Sequence, residues 1–150
     1  MIRVQREDFD TGAELDRLAR GDHAVGGIAS FIGVVRDSGG PERISALILE
    51  HYPGMTEKKL AEIEAEANRR WPLSASLIIH RYGRLEPGDR IVLVATASPH
   101  REAALAACHF LIDWLKTDAP FWKSEETPEG ERWVAARAED DEATRRWKQE

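Results

Sequence analysis

The sequence predicts an α+β fold with a substantially antiparallel sheet, formed as a single domain over residues 1–150. Apolar, β-branched runs alternate with segments of helical spacing, without repeats, low-complexity tracts or an evident linker. Two of the β-rich runs, residues 74–83 and 89–98, are joined by a Pro-Gly pair that is typical of a type II turn and indicates a hairpin. A chain of 150 residues, 42% hydrophobic and 32% charged, has the size and composition of one compact core.

The amino-terminal part of the chain predicts a short strand, a helix and a long strand. The short strand covers residues 2–7, and the helix at residues 11–20 has Leu15 and Leu18 facing inward. The long strand covers residues 24–36, and its glycines indicate a bend or the close approach of another backbone.

A loop that contains glycine and proline follows at residues 37–43, before a further strand and helix. The strand covers residues 44–52. The helix at residues 53–71 carries Leu60 and Ile63 on one face and charged side chains on the other, which is the pattern of a surface helix packed on a core.

The last third of the chain predicts a second long helix that packs on the sheet. Ser98 is its expected N-cap and Pro99 its first helical residue, and apolar residues at helical spacing continue to Leu115. The pattern ends at Pro120. Residues 127–134 then predict a turn and a short strand, before a polar helical tail.

Composition and charge exclude several classes of function. The net charge of −6 makes the surface as a whole repel nucleic acid and anionic membranes. No apolar run approaches the roughly 20 residues that cross a bilayer, and the first ten residues lack a signal-peptide pattern, so a cytoplasmic location is expected.

The single cysteine, Cys108, lies at helical spacing among small apolar residues and is expected to be buried. Cys-x-x-Cys and His-Glu-x-x-His are missing, so no metal site is predicted.

Two lysines are the strongest chemical signal in the sequence. The chain has 16 arginines and only 5 lysines, yet Lys116 and Lys123 flank one short apolar segment that contains Pro120. Lysine, unlike arginine, can exchange a proton when it is partly buried, so this choice of residue indicates chemistry. The alternative is that both are surface charges at a helix end, where cations favour the helix dipole.

Three further groups are candidates for binding an anion. His100 and Arg101 lie at a predicted helix start, where free backbone N–H groups attract anions, although an exposed polar helix start is the plainer interpretation. Arg36 lies at the end of an apolar strand, directly before a glycine-containing loop, where its guanidinium could bind a phosphate. This loop lacks the spacing of a Walker motif, and its glycines alone are more typical of a simple connection between strands. His80 ends an apolar strand and is more typical of a hydrogen-bonded structural histidine. These residues predict a site for a small phosphorylated substrate.

Five segments carry a resemblance to a known family. They are FIGVVR, LEHYPGMTEKKLAEI, IIHRYGRLEPGD, SPHREAAL and LKTDAPFWKSEETPEGERWV. In this order they resemble the large, catalytic subunit of molybdopterin synthase, over most of residues 26–137. The resemblance implies the α/β-hammerhead fold of that family.

What the resemblance implies is a sulfurtransferase of molybdenum cofactor biosynthesis. The family converts cyclic pyranopterin monophosphate into molybdopterin by installing two dithiolene sulfurs. Sulfur arrives as a thiocarboxylate on the Gly-Gly carboxyl terminus of a small ubiquitin-like partner, and the assembly is a heterotetramer around a homodimer of large subunits. No bound cofactor is implied, and Cys108 need not be catalytic.

The resemblance also assigns residues by position. Lys116 and Lys123 match the family's catalytic lysines, and Phe31 matches a pocket aromatic. The residues matched to substrate binding, besides the lysines, are Val34, Val35, Arg36, His100, Arg101, Ser124 and Glu125. The loop after Arg36 departs from the family pattern, so specific contacts from residues 37–43 are in doubt.

The sequence leaves two questions open. Lys116 is expected to donate a proton and Lys123 to attract an anionic tail, but the sequence alone allows the reverse. Because about 22 Å of helix would separate Arg101 from Lys116, the site is expected to combine the lysines of one chain with His100 and Arg101 of its dimer mate. The alternative function is a non-catalytic module that binds a ubiquitin-like Gly-Gly tail, and a phosphate-ester hydrolase ranks below both.

Overall fold

The computed structural model describes residues 1–37, 43–134 and 138–148, and it confirms the α+β class. Within these residues the elements are as follows, in chain order: β1 (Ile2–Gln5), α1 (Thr11–Leu18), β2 (Gly27–Val34), β3 (Ala46–His51), α2 (Met55–Arg70), β4 (Ala75–Arg81), β5 (Gly83–Leu85), β6 (Arg90–Ser98), α3 (Arg101–Asp118), β7 (Phe121–Thr127), β8 (Gly130–Trp133) and α4 (Ala138–Lys148). The predicted strands and helices are found in the predicted order, and the structure adds two strands that the sequence patterns did not predict, β5 and β7. Residues 38–42 of the predicted loop lie outside the described residues.

The first sheet has the strand order β1-β4-β6-β2. The β1–β4 pair is parallel, and the β4–β6 and β6–β2 pairs are antiparallel. Helix α1 covers one face through Leu15 and Leu18, while the long helices α2 and α3 cover the other. Since β4 and β6 are central and covered on both sides, their side chains are apolar on both faces, as in Ile78 and Ile79.

The second sheet has the strand order β5-β3-β7-β8, and all its pairs are antiparallel. Its buried side chains Leu49 and Leu85 pack with Val35 and Ile44, which lie on either side of residues 38–42 in the chain. Strand β5 follows β4 after one residue, Tyr82, so this part of the chain connects the two sheets directly. The two sheets thus meet at the carboxyl end of β4.

The start of α3 differs from the prediction. The N-cap is His100 and the helix begins at Arg101, whereas Ser98 remains in β6 opposite Gly27. The Ser98 hydroxyl donates to the carbonyl of Pro72 at 3.1 Å and accepts from the His100 N–H at 3.4 Å. Pairing in the sheet holds Ser98 in extended backbone, so the preference of serine for an N-cap is overridden by tertiary structure.

A close approach of two backbones explains why residue 26, just before β2, is a glycine. A Cβ built at this position would lie 2.1 Å from the carbonyl oxygen of Pro99, which is closer than any real contact. The Gly26 N–H also donates to the Ser98 carbonyl at 3.0 Å. Glycine therefore allows the start of β2 to lie against the connection between β6 and α3.

The carboxyl-terminal helix α4 packs on α3 through Trp147. Trp147 is 8% exposed, and its ring N–H donates to the Asp113 carboxylate at 2.7 Å. Its indole meets the ring of Phe110 edge-on, with centroids 5.6 Å apart. Among the helices described, none combines the length and the apolar character that crossing a bilayer requires.

Candidate active site

A small cavity lies between the carboxyl end of α3 and the second sheet. Its volume is about 40 Å³. The polar side chains that line it are His80, Lys116 and Lys123. The remaining lining side chains are apolar: Leu47, Leu49, Ile91, Leu115, Ala119 and Phe121. Two cationic groups therefore share a cavity whose walls are otherwise hydrocarbon.

The break between α3 and β7 brings the two lysines together. Lys116 lies in the last turn of α3, the helix ends at Asp118, and Pro120 precedes the new strand. Lys123 is the third residue of β7 and lies opposite Leu49 of β3. Because side chains alternate along a strand, Phe121 and Lys123 share the face that lines the cavity.

A buried hydroxyl fixes the position of this break. Thr56, at the start of α2, is fully buried. Its hydroxyl donates to the Pro120 carbonyl at 3.3 Å and accepts from the Tyr52 N–H at 2.9 Å. The segment between the lysines is thus tied to a helix that belongs to the main core.

His80 forms the third polar wall of the cavity. It is 5% exposed, its ring stacks on Phe121, and its Nδ1 is 2.7 Å from the carbonyl oxygen of Arg81. Burial lowers the pKa of His80 to about 3, against the opposing effect of that hydrogen bond, and the charges of Lys116 and Lys123 lower it further. The ring is therefore neutral at physiological pH.

The electrostatic character of the cavity suits an anion. Lys116 and Lys123 both act on His80 through their charge, so the ammonium groups lie close to the same ring. Lys123 is half-buried, so the apolar walls reduce the screening of its charge, whereas Lys116 is exposed and its charge is screened by solvent. The neutral state of His80 leaves the cavity with two positive charges from its lining side chains.

None of the predicted residues of β2 and of the segment directly after it lines the cavity. Phe31 and Val34 are exposed on β2, at 40% and 49% of their surface. Val35 is buried against Leu49, a residue of the cavity wall, and the exposed Arg36 follows it. The structure thus brings Arg36 near the wall without making it part of the lining.

His100 and Arg101 lie at the other end of α3 and are both exposed. The helix runs unbroken from Arg101 to Asp118. Fifteen residues at a rise of about 1.5 Å separate the backbones of Arg101 and Lys116 by roughly 22 Å. Within one chain these two side chains therefore do not meet the lysines.

Ser124 and Glu125 follow Lys123 on β7 and have other partners. Ser124 is 4% exposed and points to the face opposite that of Lys123. The carboxylate of Glu125 accepts from the Arg132 guanidinium at 2.9 Å. Neither residue lines the cavity in this chain.

Cys108 is buried, as expected from the sequence, and lies away from the cavity. Its Sγ is 3.9 Å from the carbonyl oxygen of Val94, in the core beneath α3. Burial raises the pKa of the thiol to about 11, so it is protonated and a poor nucleophile. In the described part of the chain, no three histidine, cysteine, aspartate or glutamate side chains are grouped as metal ligands.

Fold and site together define an α+β protein with a two-lysine cavity for an anionic group. A family model described as "MoaE protein" matches residues 4–118. The chain is 56% identical over 146 residues to the molybdopterin synthase catalytic subunit of Ralstonia nicotianae, covering 97% of this chain and 83% of that protein. The corresponding subunit of Pseudomonas aeruginosa is 52% identical over 148 residues, with 99% of both chains covered.

A solved structure agrees with these relationships. The molybdopterin biosynthesis MoaE protein from Burkholderia ambifaria superposes with a TM-score of 0.85 at 53% identity, covering 99% of this chain and 97% of that one. The chain belongs to the MoaE protein family.

Proposed function

We propose that this chain is the catalytic subunit of a molybdopterin synthase, a sulfurtransferase that converts cyclic pyranopterin monophosphate into molybdopterin. The observation that carries the proposal is the convergence of Lys116 and Lys123 on one apolar-walled cavity. The relatives that cover nearly the whole chain are catalytic subunits of that enzyme. The proposal includes the cytoplasm as the compartment of the reaction.

The two lysines have different roles in the proposed reaction. Lys116 donates a proton to the oxygen that leaves when a C–O bond of the substrate breaks or the cyclic phosphate opens. Lys123 stabilises the negative charge of the sulfur donor. The apolar walls around half-buried Lys123 make its effect larger than it is in water.

The sulfur donor is the thiocarboxylated Gly-Gly carboxyl terminus of a small ubiquitin-like partner. Two glycines suit a narrow, two-lysine cavity because they have no side chains to obstruct entry, and their terminal charge is negative. The thiocarboxylate supplies the nucleophilic sulfur, which is consistent with a cysteine that is buried and protonated.

A homodimer of this chain forms the centre of the proposed heterotetramer. Strand β2 lies at the edge of the first sheet, and no described strand pairs with its outer side. An edge strand offers unpaired backbone groups to another chain. This strand also exposes four large apolar side chains, which favours a protein partner there. They are Ile28, Phe31, Ile32 and Val34.

Antiparallel pairing of β2 with its copy supports a composite site. The β2 start lies beside α3, since a Cβ at Gly27 would be 3.7 Å from the Cα of Arg101. The other end of β2 leads to Arg36, beside the cavity wall. A two-fold axis near the middle of the strand therefore brings His100 and Arg101 of one chain toward Arg36 of its mate. In this arrangement His100 and Arg101 of the mate hold the phosphate and the pterin.

The test is reconstitution with purified components. The protein, the thiocarboxylated carrier and cyclic pyranopterin monophosphate are mixed, and dithiolene formation is followed. We expect turnover with the intact carrier and none with a carrier that lacks its two terminal glycines. If the carrier binds and no dithiolene forms, the alternative of a non-catalytic tail-binding module replaces this proposal.

A further inference from the structure

His80 is the residue of the cavity to which the proposed reaction assigns no role. It is the penultimate residue of β4, opposite Val92 of β6, and its side chain lines the cavity with the two lysines. Its ring lies 3.7 Å from that of Phe121, centroid to centroid, with 16° between the planes. Stacking on one side and burial on the others leave the ring a single orientation.

The hydrogen bond of Nδ1 determines which ring nitrogen carries the proton. The partner of Nδ1, at 2.7 Å, is the carbonyl oxygen of Arg81. A carbonyl oxygen only accepts hydrogen bonds, so Nδ1 must be the donor. Burial keeps the ring neutral, with a pKa of about 3. A neutral ring with its proton on Nδ1 has an unprotonated Nε2, which is a hydrogen-bond acceptor.

A buried acceptor requires a donor, and the cavity offers few. Besides His80, the cavity is lined by six apolar side chains and two lysines. Among these lining side chains, those of Lys116 and Lys123 can donate a hydrogen bond to the ring. Lys116 has the larger electrostatic effect on the ring. The lysine of the last turn of α3 is therefore the better-placed donor.

We propose that His80 is a positioning residue for Lys116, whose ammonium group donates a hydrogen bond to Nε2 of the His80 ring. The hydrogen bond holds the ammonium group at a fixed place in the cavity. The importance of this placement rests on the proposed function, in which Lys116 gives a proton to the substrate.

The neutral ring has a second consequence for the cavity. A protonated imidazole would donate from both nitrogens and would place a third positive charge beside the two lysines. The backbone carbonyl of Arg81 fixes the useful tautomer, because it occupies Nδ1 and leaves the lone pair on Nε2. The same role in a solvent-exposed histidine would be lost on protonation near pH 6.5.

The first test is nitrogen-15 NMR of the free protein with labelled histidine, which needs neither partner nor substrate. The His80 signals are assigned by their loss in His80→Gln. We expect a protonated Nδ1 and an unprotonated Nε2 between about pH 5 and 8. We also expect the Nε2 signal to shift much more in Lys116→Met than in Lys123→Met, which removes a nearby charge but no hydrogen bond to the ring. A protonated Nε2, or an Nε2 signal that Lys116→Met leaves unchanged, overturns the proposal.

The second test compares two substitutions of His80 in the complete reaction. Glutamine can present an amide oxygen near the place of Nε2, whereas leucine fills similar space without an acceptor. We expect His80→Leu to lower kcat roughly ten- to a hundredfold with little change in KM for the carrier, and His80→Gln to retain most of kcat. Equal kcat in the two variants contradicts the positioning role.

The two tests separate this inference from the proposed function. If wild-type protein forms no dithiolene, the proposed function fails whatever the NMR result. If wild-type protein turns over and the Nε2 signal does not respond to Lys116→Met, only the role of His80 fails.

Discussion

The imidazole of His80 lies flat against the ring of Phe121, with centroids 3.7 Å apart. His80 belongs to β4 of the first sheet and Phe121 to β7 of the second, so this stack joins the two sheets where they meet. Lys116 precedes Phe121 by five residues and Lys123 follows it by two. The contact therefore sets the position of both lysines relative to the core.

Burial of neutral His80 predicts a pH dependence of stability. The pKa falls from 6.5 to about 3 on folding, so between these values the unfolded chain binds a proton that the folded chain does not. The free energy of unfolding should fall by roughly 1.4 kcal/mol per pH unit from this residue as the pH drops below 6.5, and this contribution should be constant above it. Urea unfolding of wild-type protein and His80→Gln at pH 8, 6 and 5 measures the difference.

The comparison of the two proteins removes the contributions of other groups. Stabilised carboxylates such as Glu14, whose pKa is lowered by its hydrogen bond with Arg3, lose their effect mainly at lower pH. Equal pH dependence in wild-type protein and His80→Gln between pH 6 and 5 would show that His80 titrates normally in the folded chain.

Replacement of Gly26 by alanine should destabilise the fold. The added methyl group would lie 2.1 Å from the Pro99 carbonyl oxygen, and both backbones would have to move. We expect a loss of about 1–3 kcal/mol, measured by urea unfolding. Gly12→Ala in α1 is the matched control, since its Cβ would meet only Asp10 at an ordinary 3.6 Å. A Gly26→Ala protein as stable as the control would contradict the close approach.

Most of the fold was predictable because the sequence patterns are local. The Pro-Gly turn and the alternation of strands with helices predicted the observed elements in order, except for the strands β5 and β7. The start of α3 was predicted wrongly because Ser98 pairs with Gly27, a partner far away in the chain. For the glycines near β2, the sequence predicted a bend or the close approach of another backbone. It did not predict that Gly26 approaches Pro99, because that contact depends on the tertiary structure.

The candidate site was predictable in part. The rarity of lysine drew attention to Lys116 and Lys123, and the break at Pro120 is what lets both reach one cavity. His80 was interpreted as structural because a histidine at the end of an apolar strand is usually so. His80 lines the cavity because the two sheets meet there, and a local sequence pattern does not predict how two sheets meet. The only available signal was its position at the end of a buried strand.

The composite site predicts complementation between inactive variants. Lys116→Ala and Arg101→Ala proteins are mixed and allowed to exchange subunits. In a mixed dimer both lesions fall in one site and the other site is intact, so roughly a quarter of wild-type activity should appear at equal mixing. Exchange itself is checked by mass spectrometry with one isotope-labelled parent.

A second mixture serves as the control for complementation. Lys116→Ala with Lys123→Ala places a lesion in every site of the mixed dimer, and activity should stay absent. If exchange is complete and the first mixture also remains inactive, all these residues act within one chain.

The chemical role of Lys116 is tested most directly by single-turnover dithiolene formation with saturating thiocarboxylated carrier. Three proteins are compared: wild type, Lys116→Ala and Lys116→Arg. We expect both variants to bind the carrier and to be slower by about a hundredfold to ten-thousandfold, because arginine keeps the charge but does not readily release a proton. A Lys116→Arg protein that turns over at the wild-type rate would contradict proton donation by Lys116 and leave the lysine with an electrostatic role alone.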